Sequence, residues 1–174
     1  MSGIGAFETA PRVVVGIDPG LASVGWGVIR DCSGSLERLD HGCISTASTL
    51  PTGKRLAAIY SGITAIFERW KPQCGGIESL FFFRNVTSAL PVAEARGVIR
   101  LAFEHAGIPL AEFTPNDIKK SVTGSARADK AQVQEMVRLL LGLREIPKPD
   151  HAADALAAAI CRIHHEGPAG LSVL

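Results

Sequence analysis

The chain has 174 residues, a formal net charge of +1, and is 47% hydrophobic and 20% charged. These values describe one soluble domain of ordinary size with material for a single core. No apolar run approaches the roughly 18 residues that a membrane span requires, and the net charge neither demands nor excludes an anionic partner.

Residues 1–12 lack the basic and apolar regions of a signal peptide and read as a short flexible leader. Val13-Val14-Val15-Gly16-Ile17 predicts a strand buried on both faces, ending on the carboxylate of Asp18 before the Pro19-Gly20 turn. A second strand follows over Val24–Arg30, with Val24, Trp26 and Val28 alternating against Gly25, Gly27 and Ile29. After a turn at residues 31–35, Leu36–Ser45 predicts a third strand, of mixed polarity and so an edge or one-sided strand. Short turns between the three imply an antiparallel meander.

Apolar residues at three- and four-residue steps predict a helix over Thr52–Trp70, closed by Lys71-Pro72. Cys74–Glu78 is a short fourth strand that also ends on an acid. A long helix is expected from about Ser88 to His105, with Pro91 tolerated in its first turn if Ser88 is the N-cap. Ile108–Phe113 is a fifth strand, and Thr114-Pro115-Asn116-Asp117 carries the signals of a helix start, for a helix ending near Gly124. Ala128–Leu141 is amphipathic, with Val133, Met136, Val137, Leu140 and Leu141 inward. A last, alanine-rich helix runs from Asp150 to about His165, and residues 167–174 form a short tail. The order predicts an α/β domain over residues 13–166, with three antiparallel strands and two more joined by helical crossovers.

Four cysteines, Cys32, Cys43, Cys74 and Cys161, never take zinc-pair spacing and read as free thiols of a cytoplasmic protein. Seven basic residues between Lys119 and Lys148, opposed by Asp129, Glu135 and Glu145, suit an anionic partner met on one face. A solvated helix surface explains so weak a stripe at least as well. His41, His105, His164 and His165 show no ligand spacing and read as surface residues.

The acids carry the chemistry. If the fourth strand lies parallel to the first, Asp18 and Glu78 meet at one sheet edge. Asp150 and His151 precede Asp154 by four and three residues, which puts all three on one helical face. The small apolar helix they begin can lie close against the sheet and present His151 and Asp154 to the two strand-end acids. Converging carboxylates repel unless a cation sits between them, and oxygen ligands suit magnesium or manganese. Two such ions activate a water and stabilise the leaving oxygen of a phosphodiester. Singly, each acid also suits a structural role: Asp18 in the turn, Asp150 as N-cap, Glu78 as a surface acid.

Ordered signatures from about Val13 to His164 resemble the RuvC family of Holliday junction resolvases. They are Gly16-Ile17-Asp18-Pro19-Gly20 with Gly25–Ile29, Ile77-Glu78-Ser79 with Phe81, Asn85, Ser88–Leu90 and Ala95–Gly97, and Ala152–Ala157. Lys119 and Asp129–Gln134 fit between them. The resemblance implies a ribonuclease-H-like fold, a five-stranded mixed sheet flanked by helices. It implies a homodimer that nicks two opposed strands of a four-way DNA junction with Mg²⁺ or Mn²⁺, two ions per site, and works with a junction-migrating helicase complex of the RuvA and RuvB type. By position, Asp18, Glu78 and Asp154 match metal ligands, Lys119 and Lys130 match active-site and DNA-contacting lysines, and Phe81 matches an aromatic that stacks near the junction centre. Arg84 belongs to the same DNA-contacting segment.

The chain departs from the pattern three residues before Asp154, where the common residue is Asp and here is His151. Histidine is an alternative in the family, and an imidazole ligand favours manganese. Two other readings stand beside this one. An actin-like or sugar-kinase-like phosphotransferase also carries an acid and glycines in its first hairpin, but needs a second similar domain. A non-catalytic junction-binding module would not need Asp18, Glu78 and Asp154 together.

Overall fold

The computed structural model describes residues 10–79 and 86–166. Its sheet has the order β3-β2-β1-β4-β5, with β1 Arg12–Asp18, β2 Ser23–Cys32, β3 Ser35–Ser45, β4 Cys74–Glu78 and β5 Leu110–Phe113. β1 is central because it is the most apolar strand, with Val14, Val15 and Ile17 fully buried. The first three strands form the expected antiparallel meander, turned by Ser33 and Gly34, both at positive φ. β4 and β5 add in parallel on the other side of β1.

Strand alternation sends side chains to two separate cores. On one face Val15, Ile17, Val24, Val28 and Ile77 pack with Ile59 and Ile63 of α1 (Thr52–Trp70) and Ile99 and Phe103 of α2 (Val86–Ala106). On the other, Val14, Ile29 and Cys74 pack with Leu156, Ala159 and Ile160 of the last helix, Asp150–Glu166, and with residues of α3 (Pro115–Thr123) and α4 (Lys130–Leu140). That last helix, α5, runs across β1, β2 and β4.

α5 sits so deep because the strands present glycine beneath it. A methyl group on Gly16 would overlap the Ala155 carbonyl oxygen, and one on Gly25 would overlap that of His151. Alanines at 152, 153, 155 and 157–159 complete the close approach from the helix side. At its far end α5 is tied to the sheet by Arg12. The guanidinium bonds Asp31 at 3.0 Å, Glu166 at 2.6 Å and the Ile163 carbonyl at 3.3 Å.

Element boundaries moved where caps decide them. α2 begins at Val86, so Pro91 lies inside the helix and not in its first turn. β5 begins at Leu110 because the N–H of Ile108 is used to close α2 on the Phe103 carbonyl, 3.0 Å away, with Gly107 at positive φ. α4 begins at Lys130 because Asp129 and Gln132 form a reciprocal capping box. The Thr114–Asp117 box starts α3 as expected. The cysteines are free, and no described helix is long and apolar enough to cross a membrane.

Substituting Gly16→Ala or Gly25→Ala should cost about 1–3 kcal/mol or more by overpacking the α5 seat. Gly53→Ala, in α1 with no atom near the added carbon, should be neutral or stabilise by about 0.5–1 kcal/mol. Urea unfolding of the three variants measures the contrast.

Candidate active site

The alternation that puts Gly16 and Gly76 under α5 puts Asp18 and Glu78, two residues further on, on the same face at the strand ends. Gly16 stands opposite Gly76 and Ile17 opposite Ile77 across the parallel pair, so the two acids leave the sheet side by side. α5 meets them with its first turn. His151 Nδ1 lies 2.6 Å from Asp18 Oδ2, and ligand atoms of Asp18, His151 and Asp154 lie within 4.8 Å of one another.

Glu78 stands outside that trio but faces the same space. It lines a cavity of about 190 Å³ with Asp154, Lys119 and Lys130, floored by Ile118, Val133 and Ala157. Lys119 reaches it from α3 and Lys130 from the first turn of α4. The Lys130 ammonium lies 3.2 Å from Asp154 Oδ2 and 3.5 Å from Asp150 Oδ2.

The electrostatics are those of crowded acids. Burial, then the negative charges of Asp18 and Asp154, push the Glu78 carboxyl up to about 7, against the opposing pull of Lys119 and Lys130. Burial also raises Asp18, offset in part by its hydrogen bond from His151. Lys130 is held above its ordinary value: burial works against it, but Asp154 and Asp150 outweigh it. Carboxylates that resist ionising together, with an imidazole nitrogen at the same point, form a donor set that a divalent cation would satisfy.

Asp150 is not the N-cap that the sequence suggests. The Pro149 carbonyl takes the first helical bonds, from the N–H groups of Ala152 and Ala153, and Asp150 is the first residue inside the helix. Its exposed carboxylate bridges Lys148 at 3.0 Å and Lys130 at 3.5 Å. The only sequence signal for this bridge is the i, i+2 spacing of Lys148 and Asp150, which is too common to be informative. Phe81 and Arg84 lie outside the described residues.

A family model described as crossover junction endodeoxyribonuclease RuvC matches residues 14–162. The chain belongs to the RuvC family. RuvC nucleases are metal-dependent endodeoxyribonucleases with a ribonuclease-H-like fold, and the mixed sheet and flanking helices described above have that form. The RuvC of Treponema denticola is 52% identical over 151 residues, covering 87% of this chain and 85% of that protein. The RuvC of Chloroflexus aggregans is 49% identical over 150 residues, covering 86% and 92%. Among solved structures, Thermus thermophilus RuvC in complex with a Holliday junction substrate is 34% identical with a TM-score of 0.82, covering 86% of this chain and 92% of that one.

Glu78 also fixes a pH dependence in the metal-free RuvC chain. Its folded-state value lies above its ordinary 4.5, so between about 4.5 and 7 the native state holds the proton that the unfolded state has lost. Stability contributed here is present at low pH and falls as pH rises through that window. Thermal unfolding in chelator should show a lower Tm at pH 8 than at pH 5.5, and Glu78→Gln should flatten the difference.

Proposed function

We propose that this RuvC protein resolves four-way DNA junctions by paired symmetric nicks on opposed strands. The observation that carries the reading is the joining of Asp18, His151 and Asp154 at one point, with Glu78 and two lysines facing it across a small cavity. Support comes from the Thermus thermophilus relative, whose solved complex contains a Holliday junction substrate.

Asp18, His151 and Asp154, with Glu78 from the adjoining wall, would hold the divalent ions. When bound, two such ions supply an activated water and stabilise the leaving oxygen of a phosphodiester. The water oxygen gives up a proton and bonds to phosphorus, the bond to the 3′ oxygen breaks, and that oxygen takes up a proton, leaving 5′-phosphate and 3′-hydroxyl ends. The chain's own contribution is to place charge. Lys119 and Lys130 stand on the cavity wall where the phosphate gains negative charge in transit. Lys130 also holds Asp154 in place, at 3.2 Å. The apolar floor keeps the local dielectric low, which strengthens both effects. The imidazole nitrogen of His151 favours manganese over magnesium.

Two nicks on opposed strands call for a two-fold protein, so the working form is a homodimer. The interface is the outer ridge of α2, where Leu90 and Leu101 are exposed at 61% and 47%. Arg96 is turned inward onto Glu112 of β5, at 2.8 Å, while Arg100 pairs with the same acid at 3.0 Å and stays exposed. Phe81 and Arg84, just past Glu78 in sequence, would meet the junction centre. A cytoplasmic protein acting with a RuvA- and RuvB-type helicase completes the reading.

Purified protein with a synthetic four-way junction should give paired symmetric nicks in Mn²⁺, fewer in Mg²⁺, and none on linear duplex. Cleavage of both substrates alike would overturn the reading. Asp18→Asn, Glu78→Gln and Asp154→Asn should each lower the single-turnover rate at least 10²-fold while junction affinity holds, because binding rests on phosphate contacts. Gel-shift titrations beside cleavage time courses separate the two.

The first turn of α5 gives a sharper test of ligand identity. His151→Ala should lose most cleavage, and His151→Asp should shift the metal preference toward magnesium. Asp150→Ala, which removes only an exposed bridge, should keep most of the rate. Rates measured in both metals decide it, and an inactive Asp150→Ala beside an active His151→Ala would reverse the assignment.

A further inference from the structure

Residues 141–149 link α4 to α5 and fold back against β3. Together they enclose a surface cavity of about 570 Å³, lined by Arg38 and His41 of β3 and by Leu143, Arg144, Ile146 and Lys148 of the link. Three cations border this hollow, and Glu145 is the one acid in its lining. Among the described residues Arg144 makes no ion pair. Arg38 is turned onto the Nδ1 atom of His41 at 3.0 Å, and not onto an acid.

His41 shapes the hollow. Its half-buried ring takes the Arg38 contact and shares the lining with Lys148, where β3 meets the link. Like charges gathered round a concavity repel one another, and an anion with charges spaced along a line relieves that repulsion.

The hollow continues from the candidate active site. Lys148, Asp150, Lys130 and Asp154 form an unbroken chain of ion pairs at 3.0, 3.5 and 3.2 Å. On β3, Cys43 stands opposite Gly25, on which the His151 backbone rests. Arg38 is five residues before Cys43, about 17 Å along an extended strand. At a rise of about 3.4 Å per nucleotide that is roughly five base pairs of duplex.

We propose that Arg38, Arg144 and Lys148, held in place by His41, seat the phosphate backbone of the duplex arm that leads away from the cut bond, from Lys148 close to the site out to Arg38 about five base pairs away. The inference rests on the junction-nuclease reading for its substrate. Such contacts set register and carry no sequence information.

The test is the salt dependence of binding. A junction with long arms is titrated with the wild type and with the triple variant Arg38→Gln, Arg144→Gln, Lys148→Gln, in metal-free buffer at several salt concentrations. Each lost phosphate contact flattens the slope of log K against log salt by about 0.9, so about 2–3 in total is expected. If the triple variant has a lowered Tm, Arg144→Gln alone, at an exposed residue without an ion pair, should flatten the slope by about 0.9.

A second junction carries neutral methylphosphonate linkages four to six nucleotides from the cut bond. It should bind the wild type more weakly and the triple variant no more weakly than the unmodified junction does. An unchanged slope, or equal weakening of both proteins by the neutral linkages, overturns the proposal. Failure of the wild type to prefer junction over linear duplex strikes the functional reading instead, and the same slope comparison on linear duplex still decides the cradle.

Discussion

At Gly16, Gly25 and Gly76 α5 meets the sheet backbone against backbone, and the placement of the site follows from that contact. Gly16, Gly25 and Gly76 remove the side chains that would hold the helix backbone away, Gly27 makes room for the Leu156 side chain, and the rest of the α5 seat is met by alanine. A helix carrying leucines at those positions would stand several ångströms higher, since packed helices ordinarily sit 8–10 Å apart. At that height His151 could not come within 2.6 Å of Asp18. The same strand alternation clears the seat and aims the acids. Glycine and carboxylate alternate on one face, and the chain turns away immediately after. The Arg12 clamp on Asp31 and Glu166 fixes the opposite end of α5, so the helix is held in depth along its length and in register at its end.

The cost of this arrangement is electrostatic. Glu78 and Asp18 are partly withdrawn from water, Glu78 faces the charges of Asp18 and Asp154 and Asp18 that of Asp154, and both resist ionisation. The lysines offset part of it. Lys130 touches Asp154, while Lys119 acts on Glu78 across the cavity. What remains is a pocket whose most favourable occupant is a cation, and whose cationic wall suits the phosphate that such ions would meet. Stability and ion binding are therefore linked in this protein: whatever neutralises the acids also stabilises the fold.

Charge on the rest of the molecule divides by partner. Arg96 and Arg12 are turned into the subunit by Glu112, Asp31 and Glu166. The basic residues beside the site have weaker claims on them. Lys119 and Arg144 have no ion pair among the described residues, and Lys130 and Lys148 share the exposed carboxylate of Asp150. This division is what a near-neutral chain needs if it is to meet a polyanion on one side only.

The strands and helices, the acids Asp18 and Glu78 at two strand ends, the spacing of His151 and Asp154, and the family were legible in the sequence; that β4 lies parallel to β1, which brings the two acids to one edge, came from the structure. Local signals suffice for the former: an apolar run ending on an acid, a period of two or of 3.6, a Thr-Pro-Asn-Asp helix start. The sequence did not determine Pro149 in place of Asp150 as the cap of α5, the bridge of Asp150 to two lysines, the turning of Arg96 onto Glu112, or the part-buried placement of His41 against the link. Those depend on which residues distant in the chain arrive next to a side chain, as Asp18 and His151 do across 133 positions. A charged residue reads the same in sequence whether it meets water, an acid or a ligand. Only the packing of α5 and its flanking link against the sheet settled which of these each one meets.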